Sequence, residues 1–126
     1  MNLCTFSAEW FSLFSTWRSL KTYPKKYRSQ NIEKIEDEIE LINKAYKMLA
    51  EDCDLIKSDN GTKLHEIELK YPEINLYEDT SHPNKYGAFL NACVFFELIT
   101  GEKPSYLKYS GIIEPEIAQK LKDIVH

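Results

Sequence analysis

Metal-binding and disulfide signatures are the first things this sequence lacks. Its three cysteines, Cys4, Cys53 and Cys93, are odd in number, widely spaced and without a Cys-x-x-Cys pair. That pattern predicts neither a disulfide framework nor a zinc site. All three read as structural or incidental thiols, with Cys93 a small hydrophobe on an apolar helix face. His65, His82 and His126 stand at no ligand spacing with the acids, so neither a metal nor a cofactor is expected. A concentrated basic face is also missing. The net charge is -4, and the one basic run, Lys21 through Arg28, is followed by acids. It reads as solvated surface, which excludes nucleic acid from the expected partners. No uninterrupted apolar run is long enough to cross a bilayer. The segment Met1 to Leu20 is aromatic, but it carries Glu9 and has neither a basic start nor a small-residue cleavage site. It predicts no signal peptide, which leaves a cytoplasmic address as the default and a membrane outside the expected partners.

What is present is an ordinary globular composition. The chain has 126 residues, 43% hydrophobic and 29% charged, enough for one domain or part of one with a modest core. Phe11 to Trp17 reads as a short buried strand, and Trp10, Phe11, Phe14 and Trp17 as core in preference to an acyl pocket. Ile32, Ile35, Ile39, Ile42, Tyr46, Leu49 and Cys53 recur at steps of three and four. This spacing predicts one amphipathic helix from about Asn31 to Asp52, a lone helix in preference to a coiled coil. Cys53 to Lys57 reads as a short strand, and Ser58-Asp59-Asn60-Gly61 as a turn. Thr62 then caps a short helix through Leu64, Ile67 and Leu69, with His65 on its surface. Tyr71-Pro72 closes that helix, because a residue before proline is pushed out of the helical region. A further helix is predicted from about Pro83 to Thr100, capped by Ser81 or His82 and stopped at Gly101. Gly87 and Ala88 in its first turn allow close approach of a neighbour. After a loop from Lys103 to Gly111, Ile117, Leu121 and Ile124 mark a last helix, with Lys120 and Lys122 placed to suit its dipole. Helices alternating with short strands indicate an α/β class, helix-rich with few strands.

Between the second and third of these helices lies Leu76-Tyr77-Glu78-Asp79-Thr80-Ser81-His82-Pro83. An Asp three residues before a His on a loop supplies half of a serine hydrolase's chemistry. The carboxylate orients the imidazole, and the imidazole takes a proton from a hydroxyl nucleophile and returns it to the leaving group. Asp79 and His82 are therefore the candidate catalytic residues. Glu78 is a rival carboxylate, and the structural alternative for His82 is a capping histidine at a helix start.

The pattern Leu76-Tyr77-x-Asp79-x-x-His82-Pro83-x-x-x-Gly87-x-x-Leu90-x-Ala92-Cys93, followed by Thr100-Gly101-x-x-Pro104, resembles the C-terminal block of bacterial SGNH/GDSL-type hydrolases. It is most similar to a branch known only as a domain of unknown function. The resemblance covers about Phe11 to Pro104, leaving 105–126 as a C-terminal loop and helix of the same partial domain. It implies the C-terminal portion of a flavodoxin-like three-layer α/β/α fold. It also implies hydrolysis of esters, often acyl groups on carbohydrates or lipids, with His82 as base and Asp79 as its orienting carboxylate. The family's Gly-Asp-Ser or Gly-Asn-Ser nucleophile block and its oxyanion blocks have no counterpart here, for Ser7, Ser12, Ser15 and Ser19 lack the glycine context. The resemblance thus implies a C-terminal fragment that is inactive alone and is completed by an N-terminal half from another chain or a longer reading frame. The alternative is a non-catalytic interaction or oligomerisation module that self-associates.

Overall fold

The computed structural model describes residues 12–13, 35–79 and 82–125. In chain order these residues form β1 (Ser12–Leu13), α1 (Ile35–Cys53), β2 (Ile56–Lys57), α2 (Asn60–Lys70), α3 (Lys85–Thr100), a 3-10 turn (Pro104–Tyr106) and α4 (Pro115–Val125). β1 and β2 pair in parallel, Ser12 opposite Ile56 and Leu13 opposite Lys57. Among the described residues the protein is therefore α-rich with almost no strand, and the only layer they display in full is the helical one. The aromatic segment around Trp10 and Trp17, the basic run Lys21 to Arg28 and the first turn expected at Asn31 lie outside the described residues.

The core is built where α2, α3 and α4 meet. Leu64 and Ile67 from α2, Leu90, Cys93 and Val94 from α3, and Ala118, Leu121 and Val125 from α4 are all buried. Ile74, Leu76 and Tyr77 from the loop between α2 and α3 fill the space beside them, together with Ile113. Burying such aliphatic side chains contributes roughly 1.5–3 kcal/mol apiece, so this three-helix junction fixes the loop that carries Asp79 and His82. α1 lies against α2 and β2, with Asn43 Nδ2 donating to Thr62 Oγ1 at 3.0 Å. The stripe read from its spacing is real but shallow: Ile39, Ile42, Tyr46, Leu49 and Cys53 are half-buried, and Ala50 is buried among them.

Several local expectations change. Ser58-Asp59-Asn60-Gly61 is not wholly a turn, since α2 begins at Asn60 and both Asn60 and Gly61 are buried. Asn60 Nδ2 donates to Asn91 Oδ1 of α3 at 2.8 Å. Tertiary packing thus outweighs the turn preference of Asn-Gly. Asp59, not Thr62, occupies the cap position, without a side-chain cap bond. Leu69, read as apolar face, is exposed, and His65, read as surface, is half-buried. α3 begins at Lys85 with Asn84 as its cap, so His82 is not the cap, and Ser81 lies outside the described residues. Pro83 sits in an antiparallel bridge with Tyr77, not in the helix. The stop at Gly101 holds, in a left-handed conformation at φ 72°.

The cysteines divide. Cys93 is a free, buried thiol, as its apolar setting predicts. Cys53 is disulfide-bonded, which corrects its reading as an incidental thiol. Wide, odd spacing says nothing about which cysteines the fold brings together. Lys122, read as suiting the dipole of the last helix, is buried, and its Nζ donates to the backbone carbonyls of Leu107 and Tyr109. The lysine therefore ties the segment after the 3-10 turn to α4.

Candidate active site around Asp79 and His82

The loop between α2 and α3 is a narrow hairpin anchored by its apolar residues. Leu76 and Tyr77 are buried to within 1% of their surface, and the chain returns antiparallel to them through Pro83. Glu78 N–H donates to His82 O at 2.8 Å, and Asn84 N–H donates to Leu76 O at 2.8 Å. Asp79 and His82 lie at the solvent end of this hairpin. Asp79 makes two contacts with the histidine: its Oδ1 accepts the His82 backbone N–H at 2.7 Å, and its Oδ2 lies 2.6 Å from His82 Nδ1. An ionised carboxylate only accepts, so Nδ1 carries the proton and Nε2 is the nitrogen left to exchange one. The His82 side chain is 76% exposed and that of Asp79 53%, which leaves Nε2 accessible.

The hydrogen bond to Asp79, and then the charge of Asp79, hold the His82 imidazole above its ordinary range, with Glu78 adding a weaker push in the same direction. Both candidate residues are thus brought together, and Glu78 acts on His82 through its charge. Two features support them: Asn84, missed in the sequence, and Gly87, whose close approach to a neighbour the sequence anticipates. Asn84 caps α3 and bonds to the hairpin, and Gly87 lets α3 pack on it. A Cβ at Gly87 would collide with the Leu76 carbonyl oxygen and lie 2.9 Å from Pro83 Cβ. The signal for Asn84 was available, because Asn is among the preferred cap residues.

Other reactive groups stay apart. Burial pushes the Cys93 thiol up to about 11, with Lys122 opposing, so it remains protonated and is no nucleophile at neutral pH. Burial, and then Glu68, raise the Tyr77 phenol far above its usual range, and its Oη has no hydrogen-bond partner among the described residues. Tyr77 is an anchor, not an acid. Tyr86 Oη donates to Glu114 Oε2 at 2.8 Å. This bond, after the carboxylate's own backbone, keeps Glu114 below the usual range. A cavity of about 130 Å³ lined by Lys57, Asp59, Lys63, Val94 and Glu97 sits along the second half of α3. At about 1.5 Å per residue, Val94 and Glu97 lie about 14 and 18 Å along the helix from its Lys85 end. No cluster of metal-ligating side chains occurs among the described residues, and no described helix is long and apolar enough to cross a membrane.

No protein-family model and no curated protein matches the chain. Among solved structures it is similar to a DUF4886 family protein from Bacteroides uniformis ATCC 8492, whose crystal structure was determined at 1.50 Å. The TM-score is 0.77 at 18% sequence identity, over 90% of this chain and 45% of that one. At this identity the likeness establishes a shared fold and nothing of the chemistry. The chain spans less than half the length of that bacterial protein.

Proposed function

We propose that this chain carries the acid–base half of an SGNH/GDSL-type serine hydrolase site, within the C-terminal portion of a flavodoxin-like α/β/α fold. The observation that supports this reading is the double contact between Asp79 and His82, with Nδ1 held at 2.6 Å and the side chain open to solvent. In the reaction, His82 Nε2 removes the proton of a serine hydroxyl as its oxygen attacks the ester carbonyl. The same nitrogen returns the proton to the departing alcohol. Water, deprotonated in turn by Nε2, attacks the acyl carbon, and Nε2 returns that proton to the serine oxygen as its bond to the acid breaks. Asp79 keeps Nδ1 protonated and stabilises the imidazolium formed in each half. The serine and the oxyanion donors come from elsewhere in the whole protein or from a second chain, and the substrate is a small-molecule, carbohydrate or lipid ester.

A second reading, a non-catalytic interaction or oligomerisation module, is favoured by the exposed apolar side chains Ile99, Tyr106, Tyr109 and Ile112, the last 85% exposed. Fluorophosphonate labelling of material recovered natively with this chain separates the two. The hydrolase reading expects a labelled serine in the recovered assembly, and its label disappears in His82→Ala. A stable, soluble oligomer that takes no label in either form establishes the module in its place.

A further inference from the structure

We infer that Asn84 is a positioning residue for His82: its side chain latches both ends of the Asp79–His82 hairpin to the first turn of α3. This goes beyond the hydrolase reading, and only its consequence for turnover rests on that reading. The geometry is a four-way junction at one residue. Asn84 Nδ2 donates to the Asn75 carbonyl at 2.7 Å, reaching across the foot of the hairpin. Its backbone N–H donates to Leu76 O at 2.8 Å. Its Oδ1 accepts the N–H groups of Tyr86 at 2.9 Å and Gly87 at 3.2 Å, the cap of α3. On the incoming strand, Asn75 Oδ1 accepts Tyr77 N–H at 3.2 Å, so the strand bonded by Asn84 is itself held in a turn.

The consequence follows from where rigidity is needed. His82 and Asp79 are exposed, so packing does not lock their rotamers, and their pairing depends on the loop that presents them. Glu78 N–H to His82 O closes the hairpin directly beneath the pair. Below that bond, the Asn84 side chain adds a polar connection between the incoming strand at Asn75 and the helix. A cap that served the helix alone would need only Oδ1. The Nδ2 contact to Asn75 has no role in capping, and it separates a latch from an ordinary helix start.

Asn84→Ser tests this, because a serine hydroxyl keeps a good cap acceptor and deletes the Nδ2 donor. Asn84→Ala, which deletes both, is the second variant. The readouts are the NMR titration of the His82 ring, assigned by its loss in His82→Gln, the exchange rate of the Glu78 amide, and the melting temperature. The groups charged near His82, Asp79 and Glu78, are unchanged in both variants. In Asn84→Ser the His82 pKa is expected to fall back towards that of a histidine in an unstructured peptide. Glu78 exchange should quicken about fivefold, the factor carried by one hydrogen bond of about 1 kcal/mol, and the melting temperature should fall by no more than the few degrees that the same loss implies. An unchanged His82 titration in Asn84→Ser, with or without a stability loss in Asn84→Ala, overturns the latch and leaves Asn84 a helix cap. Neither readout requires a serine nucleophile, so failure here is distinct from failure of the hydrolase reading.

Discussion

Asp79 acts on His82 through both its hydrogen bond and its charge, and the two are separable by one substitution. Asp79→Asn keeps an acceptor near the backbone N–H but removes the charge, so the His82 pKa should fall in an NMR titration of the ring. In an assembled hydrolase the same change should lower kcat by on the order of 10³–10⁴, because the imidazole loses its fixed tautomer. The pH dependence has a definite sign. Asp79 raises the folded pKa of His82, so the pairing stabilises the fold fully below the unfolded value of about 6.5 and is lost as pH rises through the folded value. Proton acceptance runs the other way. Only neutral His82 is a base, so ester hydrolysis dependent on it should rise with pH through a midpoint above about 6.5. A midpoint at or below that value would contradict the pairing. At this scale the sequence was informative, because Asp79 and His82 are three residues apart and their contact is local. Asn84 and Asn75 were not legible as partners, because they are nine positions apart and their bond depends on a hairpin whose closure is set by buried Leu76 and Tyr77.

α3 shows how an element is fixed by contacts that its own periodicity does not contain. The stop at Gly101 was legible because a left-handed residue ending a helix is a local matter. The helix starts at Lys85, two residues after the expected Pro83, because Tyr77 draws Pro83 into an extended bridge that competes with helix. In α2 the same kind of competition moved the start the other way, to buried Asn60 against Asn91. Two glycine substitutions in α3 and at its end have different consequences for the site. Gly101→Ala meets nothing within 4 Å, so it should cost about 1–2 kcal/mol of backbone strain and leave the His82 resonances in place. Gly87→Ala drives a methyl into the Leu76 carbonyl and Pro83. Overpacking of that kind costs about 1–3 kcal/mol, and because the obstacle is the hairpin's own backbone, the His82 ring signals should shift as the loop is pushed off the helix. Thermal melts and His82 spectra of the two variants check this, and equal spectra would place the Gly87 strain elsewhere.

At the scale of the molecule, the informative feature is the mismatch, among the described residues, between a well-made helical junction and a sheet of two residue pairs. Parallel strands occur almost entirely in sheets covered on both faces, yet β1 and β2 pair over two residues each and Ile56 is 60% exposed. The sequence indicated an α/β class from helices alternating with short strands; composition could not show how little strand the described residues would contain, because strand pairing is settled by partners remote in the chain. The structural neighbour shares this fold over less than half its own length, and the proposed hydrolase needs further strands that bring the serine to His82. On the hydrolase reading, Ile56 would belong to a sheet that the rest of the fold covers. Ile56→Lys should leave the melting temperature of this chain nearly unchanged, since an exposed side chain away from the core is worth about 0.5 kcal/mol or less. In the assembled protein the same substitution places a charge between strands and helices, and it should abolish the His82-dependent fluorophosphonate label. A label that persists in Ile56→Lys would mean that the serine reaches His82 without covering β2, and that the assembly is not a continued parallel sheet.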